Sequence, residues 1–434
     1  MKQTATRNPW FWIPTLYFAE GIPYFLVNTI SVVMFTDMGM PNGLMSLYTS
    51  LLYLPWVIKP LWSPFVDLIK NKHWWIIAMQ VLMSLAMLLL PFLLPHGDGA
   101  SFSSAPTFFI TLGIFWVTAF ASATHDIAAD GFYMLALDTN DQAKYVGIRS
   151  TFYRLSSIFG QGVLVALAGI IHRSAGDVHL AWQLTLILSA LIFSGVTLYH
   201  TWHLPKPSCD HMNSTQSAGE VFNGFKRTFA SFFKKKYILW ALAFMLLYRL
   251  PEAFLVKMMN PFLLNPLADG GLGMTKEEVG LIYGTIGIFA LTAGGILGGL
   301  AAAKWGLKKS MWPMAMSLAL PCLSFVFLAM FQPENNWVIG SCVALDQFGY
   351  GFGFTAYMLY LIHFSDGEFK TAHYSICTGF MALSMMLPGL VAGYVQEWLG
   401  YTNFFIFVMV CCLATVAVTL KIKNILGSET NIKR

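Results

Sequence analysis

The stretch Ser122-Ala-Thr-His-Asp-Ile-Ala-Ala-Asp130 carries three titratable side chains, His125, Asp126 and Asp130, inside an otherwise apolar run beginning near Pro106. A run of ~20 such residues crosses a bilayer. Asp126 and Asp130 are four apart, so on a helix both carboxylates share one face, with Ser122 one turn before them. A carboxylate in hydrocarbon costs at least ~2.5 kcal/mol, so each must face water, protein or the other. Two readings fit: structural carboxylates salt-bridged to a neighbouring helix, or a proton- or substrate-handling site of a transporter. The sequence favours the second.

Other charges interrupt apolar stretches: Glu20, Lys59, Arg154, Arg249, Glu252, Lys257, Asp346 and His363. Lys59 has a stem long enough to snorkel to the membrane surface. Arg249 and Glu252, spaced i,i+3, either neutralise each other or meet substrate. Arg154 falls where Asp126 or Asp130 could reach it, so an ion pair there competes with substrate anchoring. Lys257 has no carboxylate at helical spacing, which makes it a candidate for holding an anion. His125 and His363 have side chains that titrate near neutrality, although a hydrogen-bonded histidine is the plainer expectation. Tyr357, with Tyr53, Trp56, Trp62, Tyr248 and Tyr350, could stack on sugar faces; most of these rings are expected in packing.

The elements that must position these residues follow from composition. The chain has 434 residues, 56% hydrophobic and only 11% charged, against about 25% charged in a soluble domain. This is the composition of an all-α, multi-pass membrane protein. Twelve spans are expected, at about 11–36, 44–66, 74–95, 106–137, 148–172, 181–204, 237–264, 276–303, 310–331, 337–365, 374–397 and 403–422. Twenty Lys and Arg flank one side of this arrangement, against Arg173 and Lys276 on the other. The positive-inside rule then puts both termini in the cytoplasm. The first apolar segment is too long and aromatic for a cleavable signal. The six cysteines show no metal spacing and read as small core residues.

The halves 1–204 and 237–434 are joined by a linker, 205–236. From Glu220 its phenylalanines fall at helical spacing, as in an amphipathic helix on the cytoplasmic interface. The halves also form a weak parallel repeat. Tyr133-Met-Leu-Ala-Leu137 answers Tyr357-Met-Leu-Tyr-Leu361, and Ile22-Pro23 answers Leu250-Pro251. Two six-helix halves so related are the architecture of a major facilitator transporter. Ser63-Pro-Phe-Val-Asp67-Leu-Ile-Lys70-Asn-Lys72 resembles that fold's signature loop, with Asp67 in a position to hold a cytoplasmic gate.

Particular stretches resemble the AmpG muropeptide permease family, which includes relatives of the acetyl-CoA transporters. They are Gly21-Ile-Pro23, Lys59-Pro-Leu-Trp-Ser-Pro-Phe-Val-Asp67, Ser122-Ala-Thr-His-Asp126-Ile-Ala-Ala-Asp130, Tyr153-Arg154-Leu155 and Tyr248-Arg-Leu-Pro-Glu252-Ala253. The resemblance covers nearly the whole chain. It implies a proton-coupled importer in a bacterial inner membrane, carrying anhydro-muropeptides built on GlcNAc–anhydroMurNAc. The residues and the resemblance together assign Asp126, Asp130, Glu20 and His125 to proton coupling. Arg154, Arg249, Lys257, Glu252, Asp346 and Tyr357 meet substrate, and Asp67 gates. The chain departs from the family pattern at Glu20, His125 and Lys257. A uronate-containing oligosaccharide or acyl-CoA-like anion stays open as cargo, as does a non-transporting sensor of cell-wall fragments. The expected partners are a small anionic solute, protons and the bilayer, with no nucleic acid, for a monomer without cofactor, metal or enzymatic activity.

Overall fold

In the computed structural model, residues 8–63, 66, 70–95, 106–137, 139–207, 210, 218–367 and 370–432 are described, and their regular elements are all helical. In chain order these are α1 (Pro9–Asp37), α2 (42–61), α3 (Lys72–Leu93), α4 (Pro106–Ala136), α5 (139–175), α6 (Val178–His203), α7 (Ala218–Phe233), α8 (Ile238–Leu264), α9 (Lys276–Trp305), α10 (Leu307–Phe331), α11 (Asn336–Ser365), α12 (370–399) and α13 (401–432). Among the described residues nine stretches are long and apolar enough to cross a membrane. The last, Ala372–Gly427, is 56 residues long and breaks at Gly400, whose φ of 72° suits glycine. With that break, and with α2 and α11, the twelve long helices expected from sequence are present.

Their ends carry local signals. Asn71 and Asp177 accept backbone N–H bonds as N-caps of α3 and α6, and Thr275 with Glu278 forms a capping box on α9. The amides of Leu180 and His179 hold the exposed Asp177 carboxyl below its usual range. Inside the helices, Pro23 in α1 and Pro261 in α8 each remove one backbone donor and press on the preceding turn. These breaks lie three residues after Glu20 and four after Lys257. Wider π-turns occur at Leu26–Ile30, Ile158–Leu164 and Ile282–Gly287.

The chain forms two compact units: 1–40 with 58–226, and 41–57 with 227–434. The first has a core of Trp12, Tyr17, Ala128, Ala129, Phe132 and Tyr133 where α1 meets α4. The second centres on Phe244, Tyr248, Met311, Tyr357, Tyr360 and Cys377. Within the second unit, residues 42–46 pack along α12. Asn42 donates to Gln396 at 2.7 Å and to Tyr401 at 3.1 Å, and the Gly43 amide donates to Glu397 at 2.7 Å. The Gly393 amide donates to Ser46 at 2.9 Å.

The C-terminal turn of α7 is docked on protein. Phe232 is fully buried against Phe364, His373 and Phe380. Ser231 lies 2.9 Å from His373, and the Lys235 ammonium donates to the carbonyls of Phe364 and Asp366. Lys–Lys–Lys anchoring at 234–236 therefore acts partly through backbone carbonyls of the second unit.

A glycine seam joins α9 to α11. A methyl group at Gly294 would strike the Phe348 carbonyl, and one at Gly351 would strike that of Leu291. Gly351→Leu is expected to cost about 3 kcal/mol, the upper end for overpacking. Gly299→Leu, where nothing lies within 4 Å, should leave the melting temperature of the purified protein unchanged. Equal melting of the two variants would refute this seam.

Candidate functional site

Helix α4 presents Asp126 and Asp130 on one face of the first unit, and both find bases. Lys59, at the end of α2, puts its Nζ 2.5 Å from Asp126, and Arg149 of α5 lies 2.5 Å from Asp130. The Arg149 guanidinium also stands 4.4 Å from the Tyr17 ring and 5.5 Å from that of Tyr133, a cation–π arrangement. Glu20 of α1 joins them. One carboxylate oxygen from each of Glu20, Asp126 and Asp130 lies within 4.8 Å of the others. Glu20 is 8% exposed, and its Oε2 has no hydrogen-bond partner.

With all five groups ionised, three acids and two bases leave this cluster one negative charge in excess. Like charges at that spacing repel by about 3–4 kcal/mol at an effective dielectric constant of about 20. Lys59 and Arg149 supply the positive charge that a metal ion would supply in other carboxylate clusters. The Asp130–Arg149 pair is the more open of the two, its side chains 40% and 31% exposed. The arrangement suits the binding and release of one monovalent cation.

His125 is not part of it. One residue along the helix turns its ring by about 100°, toward α3 and α6, where it is buried. The Gln80 amide nitrogen donates to His125 Nε2 at 3.0 Å, and the amide oxygen accepts from His200 Nδ1 at 3.0 Å. His200 Nε2 pairs with Thr15 at 2.9 Å. This network ties α4 to α1, α3 and α6 behind the carboxylates.

In the second unit Arg249 and Glu252 make a bidentate pair at 2.9 and 3.0 Å, both side chains buried. Arg249 also donates to the Tyr350 hydroxyl at 2.8 Å and lies 4.7 Å from the Phe354 ring. Their spacing on one helix neutralises them, as one of the two sequence readings had it. Tyr357, expected at the substrate, is fully buried, and its hydroxyl donates to the Met245 carbonyl at 2.8 Å. Asp346 is buried and accepts from Gln347 at 3.2 Å. Lys257 is buried too, with no hydrogen-bond acceptor at Nζ.

The sequence reading put Arg154 in reach of the aspartates; it is Arg149, counted there among the flanking cations, that pairs with Asp130. The signal that could have found it is that α5 starts at Thr139, so that Arg149 lies within the helix. Arg154 is half-buried on the same helix. Asp67 lies outside the described residues. The two units reuse one motif: an arginine, a carboxylate partner and tyrosine faces, with Tyr133 beside Arg149 and Tyr357 5.8 Å from Arg249.

The Major Facilitator Superfamily profile matches residues 15–368. The chain is 23% identical over 428 residues to a putative transporter AmpG 4 of Rickettsia felis, covering 94% of this chain and 95% of the relative. It is 26% identical over 395 residues to a putative transporter AmpG 1 of Rickettsia bellii, covering 88% and 89%. Among solved structures, a D-xylose–proton symporter superposes with a TM-score of 0.68 at 12% identity, over 94% of this chain and 95% of that one.

Proposed function

The chain belongs to the Major Facilitator Superfamily, and from that premise we propose that this AmpG-like secondary transporter is a proton-coupled importer of anionic amino-sugar saccharides. The anhydro-muropeptides are the proposed cargo, taken up across a bacterial inner membrane with both termini in the cytoplasm. The observation that carries the reading is the carboxylate cluster of Glu20, Asp126 and Asp130, three acids set against the two bases Lys59 and Arg149. Such a group in a low-dielectric interior takes up one cation to become neutral. A carrier that moves only when neutral there couples that cation to its cargo. Asp126 and Asp130 define the site through Lys59 and Arg149, while His125 fixes the orientation of α4. Lys257 in the second unit and Arg154 in the first are each assigned to anchoring an anionic group. Asp67 is assigned to the gate, and Arg249 with Glu252 to holding α8.

The test is uptake into proteoliposomes of labelled GlcNAc–anhydroMurNAc peptide under an inward proton gradient. Accumulation above equilibrium that a protonophore collapses, with counterflow intact, is the expected result. Accumulation driven equally well by an imposed sodium gradient at symmetric pH would transfer the coupling to sodium. Counterflow without any accumulation would make the protein a facilitator.

A further inference from the structure

Along the seam between α2 and α12 in the second unit, the polar side chains of α2 are satisfied one turn after another until Ser50. Asn42 has Gln396 and Tyr401. Ser46 donates to the Gly43 carbonyl at 3.0 Å and accepts from the Gly393 amide. Ser50, one turn on, is 1% exposed, and its Oγ has no partner. Across from it on α8 stands Lys257, 7% exposed, whose Nζ also has none. Gly389 of α12 lies between them. A methyl group there would meet Ser50 Oγ and come within 3.9 Å of Lys257 Cε. The Tyr53 ring, one turn beyond Ser50, lies 6.0 Å from the ammonium.

Buried polar groups are normally hydrogen-bonded, and an orphan needs a reason. Two orphans on different helices, one cationic and one a hydroxyl donor, both flanking a glycine, share a simple one: a ligand completes them. The ammonium requires an anion, because the tyrosine face alone does not offset the loss of water. The hydroxyl offers one further O–H at the side. A carboxylate has two oxygens for two donors, and Gly389 lets the backbone of α12 approach Ser50, where a methyl group would collide with the Oγ.

We propose that Lys257 and Ser50 form a carboxylate-binding subsite, beside the Tyr53 ring and against Gly389, which receives the acid group of the substrate. This rests on the anionic-saccharide reading above and names the group that is recognised. One carboxylate oxygen accepts from Lys257 Nζ, the other from Ser50 Oγ. Nothing covalent changes.

The measurement is ligand binding to the purified full chain, followed by thermal shift and calorimetry, with N-acetylmuramic acid, its methyl ester, and GlcNAc 6-phosphate. The acid is expected to bind at least about tenfold tighter than the ester, as one charge-assisted bond warrants. Lys257→Met should erase that preference while leaving ester binding alone, and Ser50→Ala should narrow it. Without ligand, Lys257→Met should melt higher than the parent protein, because an unpartnered buried amine is gone. A lysine with a purely structural role would give a lower melting temperature. An acid preference that survives in Lys257→Met overturns the proposal. Lys257-dependent binding of the phosphate alone overturns the carboxylate assignment. If no saccharide binds the parent protein, the cargo reading fails, and lactate and succinate take over as probes. A Lys257-dependent stabilisation by either then upholds the subsite, and its absence overturns it.

Discussion

Glu20→Gln is expected to convert concentrative uptake into simple equilibration, with counterflow and substrate binding preserved. Glutamine has nearly the shape of the acid and keeps a polar terminus in place, so the two ion pairs, Lys59–Asp126 and Arg149–Asp130, stay intact. What changes is charge. Removing one of three mutually repelling carboxylates ends its repulsion with each of the other two, about 3–4 kcal/mol apiece, so the cluster loses at least two to three powers of ten in affinity for a proton at about 1.4 kcal/mol each. The variant cluster is neutral at all times, so it no longer discriminates between loaded and unloaded states. Asp130→Asn should also end uphill uptake, but for another reason: it leaves Arg149 without its carboxylate. The readout is accumulation of labelled substrate in proteoliposomes beside counterflow in the same preparation. Retained accumulation in Glu20→Gln would remove Glu20 from coupling and return the burden to the two aspartates.

Arg249→Met is expected to destabilise the protein by about 3–5 kcal/mol, the usual consequence of stranding a buried carboxylate. Glu252 sits against Arg249 with both side chains buried, so the single change leaves a charge with no counterpart. The double variant Arg249→Met, Glu252→Gln should recover most of the loss, because a buried pair replaced as a whole is close to neutral in cost. Thermal unfolding of the two single variants and the double gives the coupling energy directly. If the double is as damaged as the sum of the singles, the pair does not act as a unit. The recovered double should still bind substrate. Loss of binding in a folded double would return Arg249 and Glu252 to the substrate site.

The twelve helices were legible because a membrane imposes a length of about 20 apolar residues on each crossing. Shared-face placement of Asp126 and Asp130 followed from their spacing alone. Partner choice did not follow. Arg149 stands at the first turn of the span expected at 148–172, so it looked like a surface anchor although its side chain reaches Asp130. The orientation of His125 was equally hidden, since Gln80 and His200 come from helices whose packing no local pattern announces. Tyr357 carried the repeat correctly yet serves the core. Ser50 gave no signal at all, because an unpartnered hydroxyl becomes visible only when its neighbours can be counted.

The early part of α2 has a consequence for how the protein is made. Asn42 and its partner Gln396 are 354 positions apart in the chain. At a synthesis rate of about 5–20 residues per second, the amide of Asn42 waits roughly 20–70 seconds for the residue that satisfies it. Lipid offers no substitute for that partner. The nascent second helix must therefore be sheltered by the insertion machinery, by water at the bilayer surface or by a temporary neighbour, while most of the protein is still untranslated. The unit that contains residue 42 cannot close until residue 401 has been made.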